Sequence, residues 1–568
     1  MTGGYGSDVI VDLLCQAGVE HIAFNPGASF RGIHDSLVHA PDAPAIALCL
    51  HEAVSVAVAH GYAKAAGRPM AVVLHDVVGL QNASMAIYNA WCDRVPMLLL
   101  GGTGPKSKAR RRPWIDWIHT ANVQANIVRD FVKWDDEPHD MASVPESFAR
   151  GLTAATSAPE GPVYLCYDAE LQEAPLPADH VAEGIARFLR PTDPAPSAPD
   201  VDALAARLRR AHQPAILAGY AGGDEAAFTA LGALAQALGA AVIDTGPRLA
   251  LASDHPLNGS GCEGLLDDAD VVLALDVDDL RGPLGARLGD GSRRGDVSLL
   301  NVGTGHLKLR GWASDHQPLV AADMHVTATA DLAVAALAER LAGEAPSDEA
   351  RARTAALTER IGISRAQRRA AGSCAEGEGT VPLERLIHEL DEALREVPFV
   401  LTNATTEPLD IRQWTLTQPR QGLGWAGGGG LGYGVGAAIG AALARGPEVI
   451  SVVLQADGDL LYLPSALWTA ARLRLPVLVV VHNNRQYANT VGHAGRIARA
   501  RGRALDRRHV GAALDDPTVS LVELASSFGA WSAGPIVDVD AMREALAQAI
   551  AVVRAGRPAL LDVHTPGL

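Results

Sequence analysis

Short apolar segments alternate with alanine-rich segments over almost the whole chain. "MAVVLHD", "DVVLALD" and "PVLVVVHNN" are three of the apolar segments. Their nearly continuous apolar character is typical of parallel strands that are buried on both faces. The stretches between them, such as "HEAVSVAVAHGYAKA", have the length and composition of crossover helices. The alternation therefore predicts an α/β protein made of doubly wound parallel sheets.

The pattern is interrupted twice, which predicts three domains. A proline-rich segment runs from "APLPADH" to "RPTDPAPSAPD", and residues 346–378 are charged, helix-prone and suited to an exposed connection. A chain of 568 residues is also too long for one domain. We expect an N-terminal domain over 1–175, a central domain over 195–345 and a C-terminal domain over 379–568.

Composition limits the partners of the chain. Lys and Arg total 48 against 65 Asp and Glu, a net charge of -17, which argues against general affinity for nucleic acid or anionic membranes. The six cysteines form no CxxC pair, so neither a zinc site nor a disulfide framework is indicated. No segment approaches the length of a membrane span. We expect reduced thiols and a cytoplasmic location.

Polar residues follow two apolar segments of the C-terminal domain. "EVISVVLQ" leads into Ala456, Asp457 and Gly458, and "PVLVVVH" leads into Asn483 and Asn484. A helix over about 464–473 separates the two predicted strands, so both polar groups emerge at the carboxyl edge of neighbouring parallel strands, where ligands bind. One carboxylate and one amide oxygen suit Mg²⁺ that is also coordinated by ligand phosphates. The alternatives are ordinary turns or an EF-hand, whose alternating ligands are missing.

This combination resembles the diphosphate-binding signature of thiamine diphosphate enzymes. The resemblance implies that Asp457 and Asn484 bind Mg²⁺ through side-chain oxygens and that Gln486 does so through its backbone carbonyl. Ala456 departs from the usual glycine, which is tolerable if its φ is negative. Further cofactor contacts are implied for Pro26, Gly27, Thr405, Thr406, Gly429, Leu431, Gly458, Asp459 and Tyr487.

A glutamate in the N-terminal domain provides a second match. Glu52 opens a helix that is rich in Ala and Val. Alone it is explained by the helix dipole, but the segment, with Gly61, Tyr62 and Ala63, resembles the glutamate helix of the same family. Apolar surroundings would raise the pKa of its carboxyl group. The resemblance implies that Glu52 bonds the cofactor's pyrimidine ring and promotes formation of the thiazolium carbanion.

The resemblance covers nearly the whole chain, in the domain order of pyruvate decarboxylase, acetohydroxyacid synthase and benzoylformate decarboxylase. "NPGAS", "LHDVVGLQNA", "NAW" and "GGLGYG" are similar to segments of benzoylformate decarboxylase. It implies a pyrimidine-binding, a central and a diphosphate-binding domain. Because the glutamate and the metal residues of such enzymes come from different subunits, a homodimer or homotetramer is implied.

Two histidines are candidates for proton transfer. His75 ends the strand "MAVVLH", and His119 in "WIDWIHTA" is similar to a histidine of pyruvate decarboxylase. His75 also matches an active-site histidine of benzoylformate decarboxylase. However, Ala28 stands where that enzyme has an active-site serine, and its second catalytic histidine, from the central domain, finds no counterpart around Asp276 to Gly282. Trp114 and Trp117 either line a substrate pocket or belong to a packed surface helix.

We expect a carbon-carbon lyase or transferase that decarboxylates a 2-keto acid through an enamine intermediate, and transfers the product to a proton or a second carbonyl. Acetolactate synthase-like carboligation remains open, as does cleavage of a 2-hydroxy ketone or a cyclic diketone. A catalytically silent cofactor-binding regulator would have no reason to keep Glu52. The arginine-rich segment over 496–508 is either a solvated or subunit-contacting arm or a mobile lid over an anionic substrate.

Overall fold

A computed structural model describes residues 4–113, 115–177, 184–188, 190–288, 295–308, 316–343, 345–403 and 413–567. The strands are β1 (His21–Phe24), β2 (Ala45–Leu48), β3 (Met70–Leu74), β4 (Met97–Thr103), β5 (Asp135–Asp136), β6 (Pro162–Asp168), β7 (Pro214–Ala218), β8 (Ala241–Asp244), β9 (Val271–Leu275), β10 (Ser298–Val302), β11 (Met324–Val326), β12 (Phe399–Asn403), β13 (Ile450–Ala456), β14 (Val477–Asn483), β15 (Trp531–Ile536) and β16 (Ala559–His564).

The α-helices are α1 (Gly6–Gln16), α2 (Arg31–His39), α3 (Glu52–Ala66), α4 (Val77–Cys92), α5 (Asp116–His119), α6 (Val144–Thr156), α7 (Ala169–Glu173), α8 (Ala198–Arg210), α9 (Glu225–Leu238), α10 (Arg281–Leu284), α12 (Ala330–Ala342), α13 (Asp348–Cys374), α14 (Leu383–Leu394), α15 (Gly434–Arg445), α16 (Asp457–Leu460), α17 (Ala466–Arg472), α18 (Ala488–Ala500), α19 (Leu521–Ser527) and α20 (Val539–Arg554). The label α11 is given to the 3₁₀ turn Gly305–Leu307. No described helix is long and apolar enough to cross a membrane.

The strands form three parallel sheets, which confirms the predicted fold class. The first has the order β2-β1-β3-β4-β6-β5 and the second β11-β10-β9-β7-β8. In the third, β13, β14, β16 and β15 are neighbours in that order. Strand β14 is buried along almost its whole length, because a parallel sheet with helices on both faces leaves no solvent-exposed side for polar residues.

The chain divides into two compact units. The first contains Met1–Pro191, Gly377–Val381 and Ala426–Leu568, and the second contains Thr192–Glu376 and Pro382–Trp425. The first and third sheets, without β12, lie in the first unit. This division groups contacts and does not test the three predicted domain boundaries, which stay predictions.

Helices α3 and α15 pack closely within the first unit, and glycines allow this. A Cβ added at Gly440 would overlap the carbonyl oxygen of Val58 and lie 2.5 Å from the amide nitrogen of Tyr62. A Cβ at Gly61 would meet the backbone of Ala437 in the same way. The small-residue face of α3 therefore holds Glu52, at the start of that helix, in a fixed relation to α15.

The second unit has its own core around the second sheet, with residues such as Ile216, Leu273 and Leu300 fully buried. Helix α13 belongs to this unit and is longer and better anchored than an exposed connection. Its Ile361 is buried against Ala241 and Leu265. Arg365 also donates to the carbonyl oxygens of Asp254 and His255. The prediction of a helix-prone segment over 346–378 was therefore right about the helix and incomplete about its packing.

The predicted helix over 464–473 differs in detail. The chain first forms the short helix α16 directly at Asp457, and α17 begins only at Ala466. Pro464 precedes the helix and accepts a hydrogen bond from the amide of Leu467. The crossover from β13 to β14 therefore has two short helices, and the order of the two strands in the sheet is as predicted.

Candidate active site

Three neighbouring strands of the first sheet end in residues of the candidate site. Asn25 follows β1, Glu52 comes shortly after β2, and His75 directly follows β3. Because β1 lies between β2 and β3 in a parallel sheet, these carboxyl ends share one edge. The sheet topology therefore explains how residues that are distant in sequence come together.

Glu52 is buried, with 5% of its surface exposed. Its Oε1 accepts a hydrogen bond of 3.0 Å from Asn25 Nδ2, and its Oε2 accepts one of 3.2 Å from Asn82 Nδ2. The expected apolar surroundings are therefore wrong in part, because two side-chain amides face the carboxylate. These two donors fix the direction of the carboxyl group at the start of α3.

His75 is held by residues 27–29. Its Nδ1 lies 2.9 Å from Ser29 Oγ, and its ring passes so close to Gly27 that a Cβ there would lie 2.5 Å from His75 Cγ. Gly27 has an extended backbone that any residue can adopt, so the glycine provides space and not conformational freedom. Burial lowers the pKa of His75, which favours the neutral ring near pH 7.

His119 lies beside His75, as the two candidate roles require. The ring centroids are 5.5 Å apart and the planes are nearly perpendicular. Both rings contact the buried carboxylate of Asp76, whose Oδ2 is 3.4 Å from His75 Nε2 and 3.3 Å from His119 Nδ1. Burial raises the pKa of Asp76. The structure thus combines two predicted residues with one that was not predicted.

Asp457 and Asn484 lie at the carboxyl edge of the third sheet. Ala456 pairs with His482 in the register of β13 and β14, so the residues that follow each strand emerge side by side. Asp457 is 3% exposed, and burial raises its pKa to about 6. Its Oδ1 is buried and has no hydrogen-bond partner among the described residues. Ala456 has a φ of -76°, so its methyl group is tolerated.

Gln486 and Tyr487 complete this corner. The backbone amide of Gln486 donates to Asn484 Oδ1 at 3.1 Å, and its carbonyl oxygen accepts from the amide of Ala488 at 3.0 Å. A carbonyl oxygen has a second lone pair, so this bond leaves an acceptor position. The Tyr487 ring lies against Gly458, where a Cβ would be 2.6 Å from Cε1. Gly458 is therefore needed for the close approach of the ring.

The glycine-rich loop before α15 is fixed at two points. Asn89 of α4 makes two hydrogen bonds of 3.1 Å with the backbone of Gly430. Asp459 accepts a hydrogen bond of 2.6 Å from the amide of Gly432, whose φ is +87°. Gly429 also has a positive φ, of +66°, and open space where a side chain would lie. The loop therefore presents a bare backbone between α4 and the corner at Asp457.

Comparisons with known proteins match both halves of this arrangement. The N-terminal TPP binding domain of thiamine pyrophosphate enzymes matches residues 5–126, and the C-terminal TPP binding domain of the same enzymes matches residues 409–563. The chain carries both TPP binding domains of the thiamine pyrophosphate enzymes. The resemblance seen in the sequence is therefore confirmed, and the two domains support thiamine diphosphate as the cofactor.

Curated members of the family are similar over nearly the whole chain. Benzoylformate decarboxylase of Pseudomonas aeruginosa is 28% identical, over 98% of this chain and 97% of that protein. Acetolactate synthase 2 of Zea mays is 25% identical, over 99% of this chain and 85% of that protein. The thiamine diphosphate-dependent 4-hydroxybenzoylformate decarboxylase of Rhodococcus jostii RHA1 has the same fold, with a TM-score of 0.79 and 22% identity over the full length of both chains.

The other residues expected from the thiamine pyrophosphate enzyme family have mixed positions. Pro26 is exposed and directly precedes Gly27, and Leu431 is half-buried within the glycine-rich loop. Thr405, Thr406 and Trp114 lie outside the described residues. Trp117 is 64% exposed, so no packed pocket forms around it in the described part of the chain. The arginine-rich segment forms α18 and exposed turns, and it is tied back by the pairing of Gln486 with Ala513.

Sequence reasoning missed four residues that hold the predicted ones in place. Asn25 and Asn82 orient Glu52, whereas Ser29 and Asp76 contact His75. Asn25, Ser29, Asp76 and Asn82 all stand within the segments "NPGAS" and "LHDVVGLQNA" that resemble this enzyme family. These segments therefore carried the signal, but an Asn, Ser or Asp at such a position is equally explained by a turn or a helix cap.

Proposed function

We propose that this chain is a thiamine diphosphate- and Mg²⁺-dependent decarboxylase of 2-keto acids. The observation that carries the proposal is the buried Asp457 carboxylate, whose Oδ1 has no hydrogen-bond partner among the described residues and which lies at the sheet edge beside Asn484. A buried carboxylate oxygen without a partner costs free energy. A bound divalent cation offsets that cost.

The donor set at this corner fits Mg²⁺. Asp457 and Asn484 offer hard oxygen ligands, and Gln486 offers its carbonyl oxygen. Three protein ligands leave positions for water and for the cofactor's diphosphate, which is the coordination that Mg²⁺ prefers. Thiamine diphosphate, when bound, supplies the nucleophilic carbon and the electron sink that decarboxylation of a 2-keto acid requires.

The chain's own residues have separable roles in this proposal. Glu52, directed by Asn25 and Asn82, hydrogen-bonds the pyrimidine end of the cofactor. The glycine-rich loop supplies backbone atoms between the two ends. His75 and His119 lie at the same sheet edge as Glu52 and supply the polar groups that act on the substrate. Ala28 differs from the serine expected of benzoylformate decarboxylase, so the identity of the 2-keto acid is not assigned.

The central experiment is turnover of a panel of aliphatic and aromatic 2-keto acids by the wild type and by Glu52→Gln. We expect the variant to bind thiamine diphosphate with Mg²⁺, detected as a rise in melting temperature. Its turnover should fall at least about a hundredfold, the size of one general acid-base contribution.

Glu146→Gln is the matched control, because Glu146 pairs with Arg150 on the exposed face of α6 and should turn over like the wild type. Equal turnover by Glu52→Gln would remove Glu52 from the mechanism. Absence of turnover of every 2-keto acid by the wild type would refute the proposed function.

Similarity to acetolactate synthases supports carboligation as a second candidate. An acceptor aldehyde added to each 2-keto acid distinguishes the two reactions, since ligation yields a 2-hydroxy ketone and decarboxylation yields a free aldehyde. Product analysis of the same reaction mixtures therefore decides between lyase and transferase.

We further propose that each cofactor is shared by two subunits of a homodimer or homotetramer. Mixing Glu52→Gln with Asp457→Asn tests this directly. If each site is shared, one of the two sites in a mixed dimer carries neither substitution. About half of the dimers are mixed after random reassortment, so about a quarter of all sites should regain activity. If Glu52 and Asp457 of one chain served the same cofactor, every site would keep a defect and no activity would return.

A further inference from the structure

Ser29 is fixed from several sides and directed at His75. Its Oγ accepts a hydrogen bond of 3.1 Å from the backbone amide of Asp76. Its carbonyl oxygen accepts one of 3.0 Å from Gln172 Nε2. A Cβ at Gly102 would lie 2.5 Å from Ser29 Oγ, so β4 closes the remaining side. Ser29 is 2% exposed and therefore cannot reorient without disturbing its neighbours.

Two donors of Ser29 point at the same nitrogen of His75. The hydroxyl group lies 2.9 Å from His75 Nδ1, and the backbone amide lies 3.4 Å from it. Since the serine oxygen already accepts from Asp76, its proton is available to His75. A nitrogen that faces two donors carries a lone pair, so the hydrogen-bond network assigns the neutral ring of His75 as the Nε2–H tautomer.

The opposite side of His75 meets a carboxylate that it shares with His119. Asp76 Oδ2 lies 3.4 Å from His75 Nε2 and 3.3 Å from His119 Nδ1. Its other oxygen, Oδ1, caps α4 by accepting from the amide of Val78. Asp76 Oδ2 is therefore the carboxylate oxygen next to both rings. His119 faces it through Nδ1, so we expect the neutral ring of His119 to carry its proton on Nδ1 and none on Nε2.

We propose that Ser29 and Asp76 are positioning residues that give the two histidines different tasks: His75 is a neutral hydrogen-bond donor through Nε2, and His119, oriented by Asp76, is the acid-base group. This inference rests on the proposed function and assigns roles within the same site. The arrangement of Asp76 and His119 is that of a carboxylate that orients an imidazole and stabilises its protonated form.

The proton balance of decarboxylation fits this division. Release of carbon dioxide from a 2-keto acid to give an aldehyde consumes one proton. When protonated His119 donates, its Nε2–H bond breaks, the electron pair stays on the nitrogen, and the proton forms the new bond to carbon. Solvent then reprotonates His119. Neutral His75 cannot supply that proton without becoming an imidazolate, so its task is to donate a hydrogen bond to developing negative charge, as a neutral histidine does elsewhere.

Several charged groups surround His75 and His119, and they determine how the site responds to pH. His75 faces Asp76, His119, Glu52 and Arg112, and Asp76 also faces Asp116. Burial lowers the pKa of His75, in agreement with a neutral ring. Asp76 is the carboxylate in contact with both rings, so its substitution removes the negative charge nearest to them.

Asp76→Asn is the decisive variant. Asparagine is an equally good N-cap, so α4 is retained. Its amide nitrogen, however, is a donor where Oδ2 is an acceptor, so His119 must present a lone pair at Nδ1. The two donors of Ser29 still hold the lone pair of His75 at its Nδ1. Nitrogen-15 NMR of the histidine-labelled protein, without substrate, should show Nε2–H for His75 and Nδ1–H for His119 in the wild type. In Asp76→Asn the tautomer of His119 should invert to Nε2–H while His75 stays Nε2–H, and both should stay unchanged in the surface control Glu146→Gln.

Kinetics provide the second measurement. Asp76→Asn should lower kcat at least about tenfold with little change in KM, and should move the alkaline limb of the kcat profile to lower pH. His119→Asn should abolish that limb, whereas His75→Asn, whose amide still donates, should keep it. A structural role alone would change stability and leave the limb in place.

The outcomes separate this inference from the proposed function. If the wild type processes 2-keto acids but His75 carries its proton on Nδ1, or if the His119 tautomer is the same in Asp76→Asn, the inference is wrong and the function stands. The three groups also lie close enough to hold a metal ion, with ligand atoms within 4.8 Å of one another. Stoichiometric zinc that is lost in Asp76→Asn would overturn the inference in favour of a metal site.

Discussion

The packing of α3 against α15 predicts a large penalty for one methyl group. In Gly440→Ala, the new Cβ would overlap the carbonyl oxygen of Val58 and lie 2.5 Å from the amide nitrogen of Tyr62. Carbon atoms pack at about 3.5 to 4.0 Å, so the helices would have to separate by about 1 Å. Both obstacles are backbone atoms of α3, which cannot move aside by a change of rotamer.

The magnitude follows from two opposing effects. Overpacking of a close interface costs about 1–3 kcal/mol, occasionally more. Alanine gains about 1 kcal/mol over glycine in a helix. Because the contact is between backbones, we expect the upper end of the penalty, and a net loss of about 2 kcal/mol in the free energy of unfolding. Since α3 begins at Glu52, turnover should fall as well.

Gly495 provides the matched control in the same unit. It also lies inside a helix, α18, but a Cβ there would be 3.7 Å from Arg508 Cδ, an ordinary contact. Gly495→Ala should therefore stabilise by about 0.5–1 kcal/mol through helix propensity alone. Urea denaturation gives the free energies, and hydrogen exchange of peptides from α3 and α15 localises the effect. If Gly440→Ala proved as stable as Gly495→Ala, the packing argument would be refuted.

Three further predictions concern residues around the candidate site. Burial lowers the pKa of His60 to about 4, below its value in the unfolded chain. The stability that neutral His60 contributes is therefore fully present above about pH 6.5 and is lost as the pH falls towards 4. In urea denaturation, the free energy of unfolding of His60→Asn should fall by roughly 2 kcal/mol less than that of the wild type between pH 7.5 and pH 5. Asp459→Ala removes the acceptor of Gly432 and Gln455 and should destabilise by about 1–3 kcal/mol, whereas Asp540→Ala, at a residue whose side chain is 95% exposed, should change unfolding by less than about 0.5 kcal/mol. Asn89→Ala breaks both bonds to Gly430; a loss of about 2 kcal/mol should speed amide exchange in residues 427–431 roughly thirtyfold, and unchanged exchange would contradict the proposed anchoring.

Local sequence predicted the elements of the fold better than their packing. The apolar segment "PVLVVVH" predicts β14, whose bounds are Val477–Asn483, because a buried parallel strand needs little more than a continuous apolar run. The close contact between Gly61 and Ala437 was not predictable, since glycines within helices have many causes. Helix α13 was expected to be exposed because its charged residues dominate its composition, although its arginines reach backbone carbonyls of the second unit.

Candidate site residues were predictable where a strand end fixes them. Asp457, Asn484 and His75 each follow a recognisable strand, and parallel topology places such residues at one edge. Ser29 and Asp76 were missed for a physical reason. A serine in a loop and an aspartate before a helix are explained by turns and caps, and Asp76 does cap α4. Ser29 and Asp76 contact the histidines only because β1 and β3 are neighbours in the sheet and because the chain after β4 returns to the same edge.

Buried polar atoms without partners occur repeatedly around the corner at Asp457. Among the described residues, Gln455 Oε1, Asp457 Oδ1, His482 Nε2 and Gln486 Nε2 all belong to this group, and each unsatisfied atom costs about 1–3 kcal/mol. A chain selected for stability alone would replace them with apolar side chains. Their retention is understandable if stability comes from elsewhere in the same unit, above all from the α3 and α15 packing. A variant in which α3 and α15 pack less tightly should therefore need bound cofactor to keep the corner at Asp457 folded.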